Sequence, residues 1–294
     1  MSTKRVLITG GGGQLASDLE AQLRTDAEVV APPRADLDIT DDGAVRAVFD
    51  NVRPTVVYNC AAFHNVEVCE REEDRAFEVN ARAVKRLAAR CADHSARFVH
   101  LSTNYVFDGA ADRPYGEDEL PSPRSIYAIS KLAGEHAALA YAPRALVVRT
   151  AGLYGLHGSV SKAGNFVTRM IGRAREQGAL KVVADQRLTP TFTSDLAAGI
   201  LAAVEADVTG TLHITNSGAT SWHGFTEAIM ELAGIFVQVE AASTVRQPGA
   251  ADRPLNGVLV SPVSEHAGLP ALRPWRAALT DYLERAGILA GAAV

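Results

Sequence analysis

Cysteine is scarce in this chain, which has three cysteines among 294 residues: Cys60, Cys69 and Cys91. An odd and irregularly spaced set is typical of reduced thiols in a reducing compartment. Neither the cysteines nor the histidines have ligand partners at the spacing of a zinc site or of a facial triad. We therefore predict small, buried thiols and no metal site.

A surplus of positive charge is also missing. The formal net charge is −5, the isoelectric point is near 5.9, and the basic residues do not form a block, so nucleic acid is not an expected partner. No apolar run approaches the length of a membrane span, and the apolar stretch after the N-terminus is too short for a signal peptide. The sequence predicts a cytoplasmic protein without membrane contact, and it leaves a homodimer open.

Short apolar runs are what the first half of the chain does have, in a sequence that is 47% hydrophobic. They alternate with longer amphipathic stretches, which predicts a parallel sheet between helices, because a crossover is needed to make neighbouring strands parallel. The fold class is therefore α/β, with a doubly wound parallel sheet of the Rossmann type. The predicted strands are residues 6–9, 28–31, 55–59, 97–101 and 145–149.

The pattern changes after residue 150. The chain is predicted to leave the sheet in the glycine- and serine-rich stretch 151–164 and to continue in a helix over 165–177. A helix over 194–205 and a strand over 211–215 are predicted to return to the sheet. These patterns predict a dinucleotide-binding domain of residues 1–155 and 190–216, and a smaller mixed α/β substrate-binding lobe of residues 156–189 and 217–294.

A glycine-rich turn follows the first predicted strand. Gly10 permits a tight turn, Gly13 lets backbone amides approach a pyrophosphate at a helix N-terminus, and Ala16 permits close packing of helix against strand. Gln14 and Leu15 begin that helix and belong to the same predicted cofactor site. A plain flexible turn is the alternative, which the order strand, turn, helix disfavours.

The end of the second strand decides which dinucleotide is expected. Arg34 stands where a guanidinium would pair with a 2′-phosphate, so NADPH is the preferred cofactor and NADH the alternative. Asp38 and Ile39 are predicted to border the adenine. Ala61 and Ala62, after the third strand, are small enough for a dinucleotide to lie beside them. A solvated loop around Arg34 stays open as the other interpretation.

Tyr127 and Lys131 are four residues apart at the start of a helical stretch, which places both side chains on one face. Thr103 follows the strand 97–101, at the edge where open parallel sheets bind ligands. Lys131 is predicted to lower the pKa of Tyr127 and to hold the nicotinamide ribose. Tyr127 would protonate a carbonyl oxygen as hydride reaches its carbon, while Thr103 donates a hydrogen bond to that oxygen. A surface tyrosine beside a surface lysine is the alternative.

With these motifs in place, the chain resembles the extended short-chain dehydrogenases and, more narrowly, the dTDP-4-dehydrorhamnose reductase family. The resemblance implies reduction of the 4-keto group of dTDP-6-deoxy-L-lyxo-4-hexulose to dTDP-L-rhamnose, with NADPH or NADH, and it implies that Thr103, Tyr127 and Lys131 are catalytic. The similar segments are residues 13–15, 37–40, 102–109, 127–131, 185–186, 190–191, 222–223 and 253–254. The residues that the resemblance places near the nucleotide-sugar are Asn104, Tyr105, Asn165, Gln186, Thr191 and Trp222.

Three positions depart from the family pattern. The family usually has aspartate where this chain has Asn104, several relatives have an aromatic residue at Gly152, and the family's aspartate after the third strand is Glu67 here. An amide at position 104 keeps hydrogen-bonding capacity but removes a charge near the sugar. These departures leave a different 4-keto-6-deoxy sugar open.

Two other functions stay open. A nucleotide-sugar epimerase or dehydratase would use the same tyrosine and lysine but would regenerate its nicotinamide. A non-catalytic NADP-binding subunit resembling the methionine adenosyltransferase beta subunit would bind a partner enzyme instead. Retention of Thr103, Tyr127 and Lys131 argues against the non-catalytic alternative.

Overall fold

The structure is a computed structural model that describes residues 4–157, 164–245 and 249–289. Residues 158–163, in the stretch where the chain is predicted to leave the sheet, lie outside the described residues. Elements are numbered in chain order.

The strands are β1 (Lys4–Thr9), β2 (Ala27–Val30), β3 (Val56–Asn59), β4 (Arg97–Thr103), β5 (Leu146–Thr150), β6 (Leu153–Tyr154), β7 (Ala179–Val183), β8 (Arg187–Leu188), β9 (Thr191–Phe192), β10 (Gly210–His213), β11 (Thr220–Ser221) and β12 (Gln238–Ala242). The helices are α1 (Gln14–Leu23), α2 (Asp42–Val52), α3 (Val66–Cys69), α4 (Glu73–Phe77), α5 (Ala83–Asp93), α6 (Ile126–Tyr141), α7 (Phe166–Gln177), α8 (Thr193–Glu205), α9 (Trp222–Leu232), α10 (Pro262–His266) and α11 (Trp275–Arg285). A π-helical turn, Glu78–Arg82, precedes α5, and a 3-10 turn, Asn104–Val106, follows β4.

The main sheet has six strands in the order β10, β5, β4, β3, β1, β2, and every neighbouring pair is parallel. The prediction of a doubly wound parallel sheet is confirmed. The predicted strand bounds differ from the observed ones by a residue or two, and β4 extends to Thr103. That extension places Thr103 at the carboxyl edge of the sheet, the edge on which ligands bind in such folds.

Both faces of the sheet are buried, which is why its strands carry apolar side chains on both faces. Side chains on one face pack against α1 and α8; Val6 and Ile8 are among them. Leu7 points to the other face and packs with residues of α2, α5 and α6. A third apolar cluster surrounds Tyr154, Phe192 and other aromatic side chains between α7, α9 and α11.

The helix and strand predicted to return to the sheet are observed. α8 packs against α1, and β10 pairs with β5 as an edge strand. The division into a dinucleotide-binding domain and a substrate-binding lobe stays a prediction, since Val263, Leu269 and Leu272 of the C-terminal part also pack against the first core. No helix in the described part of the chain is both long and apolar enough to cross a membrane.

Candidate active site

The glycine turn after β1 is packed between the ends of β2 and β3. Gly10 has a φ of 76°, and a Cβ added there would lie 2.9 Å from the backbone nitrogen of Ala61. A Cβ on Gly11 would overlap the carbonyl oxygen of Ala31, and the Gly11 amide donates a hydrogen bond to the Pro32 carbonyl at 3.0 Å. Gly11 is therefore as necessary as Gly10, although the run of four glycines does not distinguish between them.

Helix α1 begins directly after this turn with an N-terminus that no side chain caps. Gly13 is the capping residue and has extended backbone, so the first amides of the helix have no side-chain acceptor. Gln14 carries a side-chain oxygen that is buried without a hydrogen-bond partner. A buried polar atom of this kind fits a polar ligand that would complete its hydrogen bonds. Leu15 packs its side chain into the first core, so it can meet a cofactor only through its backbone.

The loop after β2 carries the residues predicted to read the adenosine end. Arg34 is 64% exposed at its side chain and forms an ion pair with Asp38 at 3.2 Å. The Asp38 carboxylate also accepts hydrogen bonds from the backbone amide and hydroxyl of Thr40, which lower its pKa against the opposing effect of burial. Ile39 packs in the second core, so its predicted contact with adenine applies only to its backbone. Ala61 and Ala62 are half-buried directly after β3, and their small side chains leave room for a dinucleotide to lie beside them.

Thr103 and Tyr127 meet at the carboxyl end of β4. Ser125 caps α6 by accepting a hydrogen bond from the Ala128 amide at 3.3 Å, which places Tyr127 in the first turn. The side chains of Tyr127 and Thr103 lie beside each other. Burial raises the pKa of Tyr127, and the neighbouring Thr103 hydroxyl is the contribution that opposes it. The Tyr105 ring packs edge-on against Tyr127, with centroids 5.9 Å apart.

Lys131 lies one turn further along α6 and is buried. Its amine donates to the carbonyl of Leu101 and lies 3.2 Å from Nε2 of His100. Burial lowers the pKa of Lys131 to about 8. The prediction that Lys131 lowers the pKa of Tyr127 does not describe this structure: the pKa of the phenol is raised, because desolvation outweighs every favourable contact and the lysine amine is directed at His100 and Leu101.

A buried ion pair fixes α6 to the sheet beneath these groups. Arg149 on β5 donates to both carboxylate oxygens of Glu135, with its closest nitrogen 2.7 Å away, and the Ser102 hydroxyl donates to the same carboxylate. Both partners are at most 5% exposed. Ser102 is therefore held by α6 and turned away from the Thr103 and Tyr127 pair.

Asn104 does not behave as the sugar contact that was predicted. Its side chain is buried and donates to the carbonyl of Gly257 at 3.0 Å. A Cβ on Gly257 would overlap that amide nitrogen, so the glycine is what admits the contact. An aspartate at position 104 could not donate this hydrogen bond. Asn104 thus joins the end of β4 to a C-terminal segment, which explains the amide better than a role in reading sugar hydroxyls.

The same C-terminal segment is held from a second side. Arg253 forms an ion pair with Glu67 at 2.8 Å, and the carboxylate of Glu67 also accepts from the Ala251 amide at 3.2 Å. Tyr105 is half-buried near this pair, and desolvation raises its pKa. Glu67 stands where the family pattern has an aspartate, and its longer side chain reaches Arg253.

The other predicted sugar contacts are placed by internal hydrogen bonds. Asn165 caps α7 and donates to Gly155 at 2.8 Å and to the Tyr282 hydroxyl at 3.0 Å, so its amide is fully used inside the protein. Thr191 is buried and donates to the Thr189 carbonyl at 3.2 Å. Gln186 donates to Thr244 at 3.0 Å, and Trp222 packs its ring on Phe166 with centroids 4.3 Å apart.

Gly152 has backbone geometry that disfavours any side chain. Its φ is 57°, and a Cβ there would lie 2.7 Å from the Leu188 side chain. An aromatic residue at this position would need both a different backbone and a displaced Leu188. Across residues 4–157, 164–245 and 249–289, no group of three histidine, cysteine, aspartate or glutamate side chains could hold a metal ion.

The doubly wound sheet has a glycine turn after its first strand, a threonine at the end of β4, and a tyrosine and a lysine on α6 beside it. These features together define an extended short-chain dehydrogenase, an NAD(P)-dependent oxidoreductase. A family model described as the RmlD substrate binding domain matches residues 4–288. The chain therefore belongs to the dTDP-4-dehydrorhamnose reductase family, and the resemblance seen in the sequence is confirmed.

Several relatives cover nearly the whole chain. The dTDP-4-keto-6-deoxy-D-glucose reductase of Streptomyces niveus is 42% identical, over 95% of this chain and 96% of its own length. The dTDP-4-dehydrorhamnose reductase of Mycobacterium tuberculosis is 41% identical, over 96% of this chain and 93% of its own. The crystal structure of the Bacillus anthracis dTDP-4-dehydrorhamnose reductase in complex with NADP superposes with a TM-score of 0.91 at 32% identity, covering 97% of this chain and 100% of that one.

Proposed function

We propose that this protein uses NADPH to reduce the 4-keto group of a dTDP-linked 6-deoxy-hexulose. The observation that carries the proposal is the placement of the Thr103 and Tyr127 side chains beside each other at the carboxyl end of β4, with Lys131 one helical turn away. The site needs no further acid or base for carbonyl reduction. The NADP complex of the Bacillus anthracis relative supports the choice of cofactor.

The chain's own residues divide the chemistry as follows. NADPH, when bound, supplies the hydride that reaches the carbonyl carbon. Tyr127 keeps its proton at neutral pH because burial raises its pKa, and it donates that proton to the oxygen as negative charge develops there. Thr103, which lies beside Tyr127, stabilises the same oxygen. Lys131 has three donor positions, of which Leu101 and His100 take two, so one is left for the nicotinamide ribose.

The cofactor would lie along the carboxyl edge of the sheet. We assign its pyrophosphate to the uncapped start of α1 at Gly13 and Gln14, with Gly10 and Leu15 contributing backbone. Arg34 and Asp38 would hold its adenosine end. The sugar would lie beside that edge, where Tyr105, Gln186 and Trp222 are the side chains that we assign to it.

Two sugars are the leading substrates. The family resemblance favours dTDP-6-deoxy-L-lyxo-4-hexulose, which would give dTDP-L-rhamnose. The relative from Streptomyces niveus, 42% identical, is named for dTDP-4-keto-6-deoxy-D-glucose, which makes that sugar the second candidate. Asn104 does not separate them, since its amide is bound to Gly257.

The decisive experiment measures NADPH oxidation at 340 nm with each sugar and identifies the product by mass. We expect oxidation with at least one of the two sugars and a product heavier by two hydrogens. Conversion of the sugar without net oxidation would point to an epimerase or dehydratase. Tight NADPH binding without conversion of either sugar would contradict the proposal and favour a non-catalytic, partner-binding subunit.

Arg34→Ala is expected to weaken NADPH binding by about tenfold and NADH binding by less than about twofold. The expected loss of NADPH affinity is small for a charge-assisted contact, because the Arg34 guanidinium is exposed and solvent screens its charge. Fluorescence titration with each cofactor measures both values. Arg46→Ala is the matched control, since Arg46 forms an exposed pair of the same spacing with Asp42 at 3.1 Å. Equal losses for NADPH and NADH would refute a role in binding the 2′-phosphate.

A further inference from the structure

A line of buried polar side chains crosses the sheet from the glycine turn to the catalytic helix. The Thr9 hydroxyl lies 2.6 Å from the side-chain amide of Asn59. That amide lies 3.0 Å from Nδ1 of His100, whose Nε2 lies 3.2 Å from the Lys131 amine. All four side chains are buried from solvent. The reductase chemistry proposed above uses Lys131 and leaves the other three without a role.

The strand order explains how these residues meet. Thr9 ends β1 directly before Gly10, and it is in register with Asn59 on β3. Asn59 is in turn in register with His100 on β4, so the three side chains stand in a row on neighbouring strands. A Cβ on Gly134 would overlap the Asn80 carbonyl oxygen and would lie 3.3 Å from Nε2 of His100, so glycine allows the close approach of α6 on this side.

Counting donors shows that the line can be satisfied in two ways. An ammonium only donates, so with Lys131 charged Nε2 of His100 accepts and the ring proton is on Nδ1. That proton needs an acceptor, which the Asn59 amide provides by presenting its oxygen to the ring and its nitrogen to Thr9. With Lys131 neutral every bond reverses: Thr9 donates to Asn59, Asn59 donates to Nδ1, and the Nε2 proton is donated to the lysine.

We propose that His100 is a positioning residue for Lys131 whose imidazole exchanges tautomers as the lysine gains or loses its proton. Asn59 and Thr9 reverse their hydrogen bonds with it, so Lys131 keeps the same two partners in either state. The line connects the strand that carries the glycine turn to the amine assigned to the nicotinamide ribose. The importance of this line for catalysis rests on the proposed function of Lys131. The tautomer exchange itself does not depend on that function.

Among His100, Lys131 and the groups that face them, Lys131 is the one that changes its charge near neutral pH. Burial and the nearby ammonium hold the pKa of His100 well below its ordinary value, so the ring stays neutral. Burial lowers the pKa of Lys131 to about 8. Burial raises the pKa of the Cys60 thiol, which faces Lys131 from the end of β3, to about 12. Glu135 is bound to Arg149, and the Phe98 ring stacks on His100.

Nitrogen NMR of histidine-labelled protein tests the exchange directly. We expect the His100 proton on Nδ1 below about pH 7 and on Nε2 above about pH 9, on either side of the lysine pKa. His100→Gln identifies the His100 signals among the eight histidines. In Lys131→Met the tautomer should be the same at both pH values. A tautomer that does not change with pH in the unaltered protein, or that still changes in Lys131→Met, overturns the proposal.

Three variants at position 100 link the exchange to cofactor binding. His100→Leu removes the partner of the ammonium, so the pH above which NADPH affinity is lost should move down by about one unit. His100→Gln places an amide near the position of Nε2 and should restore that pH. His100→Asn reaches only Asn59 and should resemble His100→Leu. Rescue by the asparagine instead of the glutamine would mean that His100 serves only the packing of Asn59.

These measurements need no sugar, so they separate this proposal from the proposed reductase activity. If His100→Leu does not fold, the comparison of glutamine with asparagine still decides. A tautomer exchange in a protein that reduces neither sugar would leave the positioning role standing and reject the reductase. If the protein reduces a sugar while the tautomer of His100 stays the same at every pH, the reductase activity stands and the positioning role is rejected.

Discussion

Tyr127→Phe is expected to lower kcat by about a thousandfold while leaving the Kd for NADPH within about twofold, the range that loss of a general acid produces. The substitution removes only the hydroxyl that lies beside Thr103. The ring that packs against Tyr105 at 5.9 Å is retained, so the pocket keeps its shape. Stopped-flow measurement of NADPH oxidation gives kcat, and cofactor fluorescence gives the Kd.

The pH dependence of kcat separates Tyr127 from its neighbours. Because burial raises the pKa of Tyr127, the phenol stays protonated through the range in which Lys131, with a pKa of about 8, loses its charge. The alkaline loss of activity should therefore follow the lysine. Tyr141→Phe is the control, since Tyr141 is an exposed tyrosine on the same helix. A Tyr127→Phe enzyme with more than about a tenth of the original kcat would show that another group donates the proton.

The sequence predicts the parts of the fold and site that depend on local pattern. Strands apolar on both faces mark the parallel sheet, and the spacing of Tyr127 and Lys131 puts them on one face of α6. The position of Thr103 follows from the strand before it. These features depend on residues that are near one another in the chain, so the local pattern is enough to predict them.

What the sequence does not predict depends on contacts between distant segments. The partner of Asn104 is 153 positions away, at Gly257, so no local pattern predicts this contact. His100 shows no ligand spacing in the sequence, and only the register of β1, β3 and β4 aligns it with Asn59. Gly11 is one of four successive glycines, and the approach of Ala31 singles it out.

The ion pair beneath the site carries the largest expected effect on stability. Arg149→Leu is expected to lower the free energy of unfolding by about 3–5 kcal/mol, because it leaves the Glu135 carboxylate buried without its cation. Glu135 is 2% exposed at its side chain, so solvent cannot replace the guanidinium. Urea unfolding followed by circular dichroism measures the change, with the midpoint shifting at constant slope.

A double substitution distinguishes the cost of an unpaired charge from the net value of the pair. Replacing both Arg149 and Glu135 by leucine removes the stranded carboxylate, so the double variant should be more stable than Arg149→Leu alone. Arg46→Leu breaks the exposed pair with Asp42 and should change the free energy of unfolding by less than about 0.5 kcal/mol. If Arg149→Leu were as mild as Arg46→Leu, the pair would not anchor α6. In that case the fixed placement of Tyr127 and Lys131 over β4 would have to come from the Lys131 contacts with His100 and Leu101 instead.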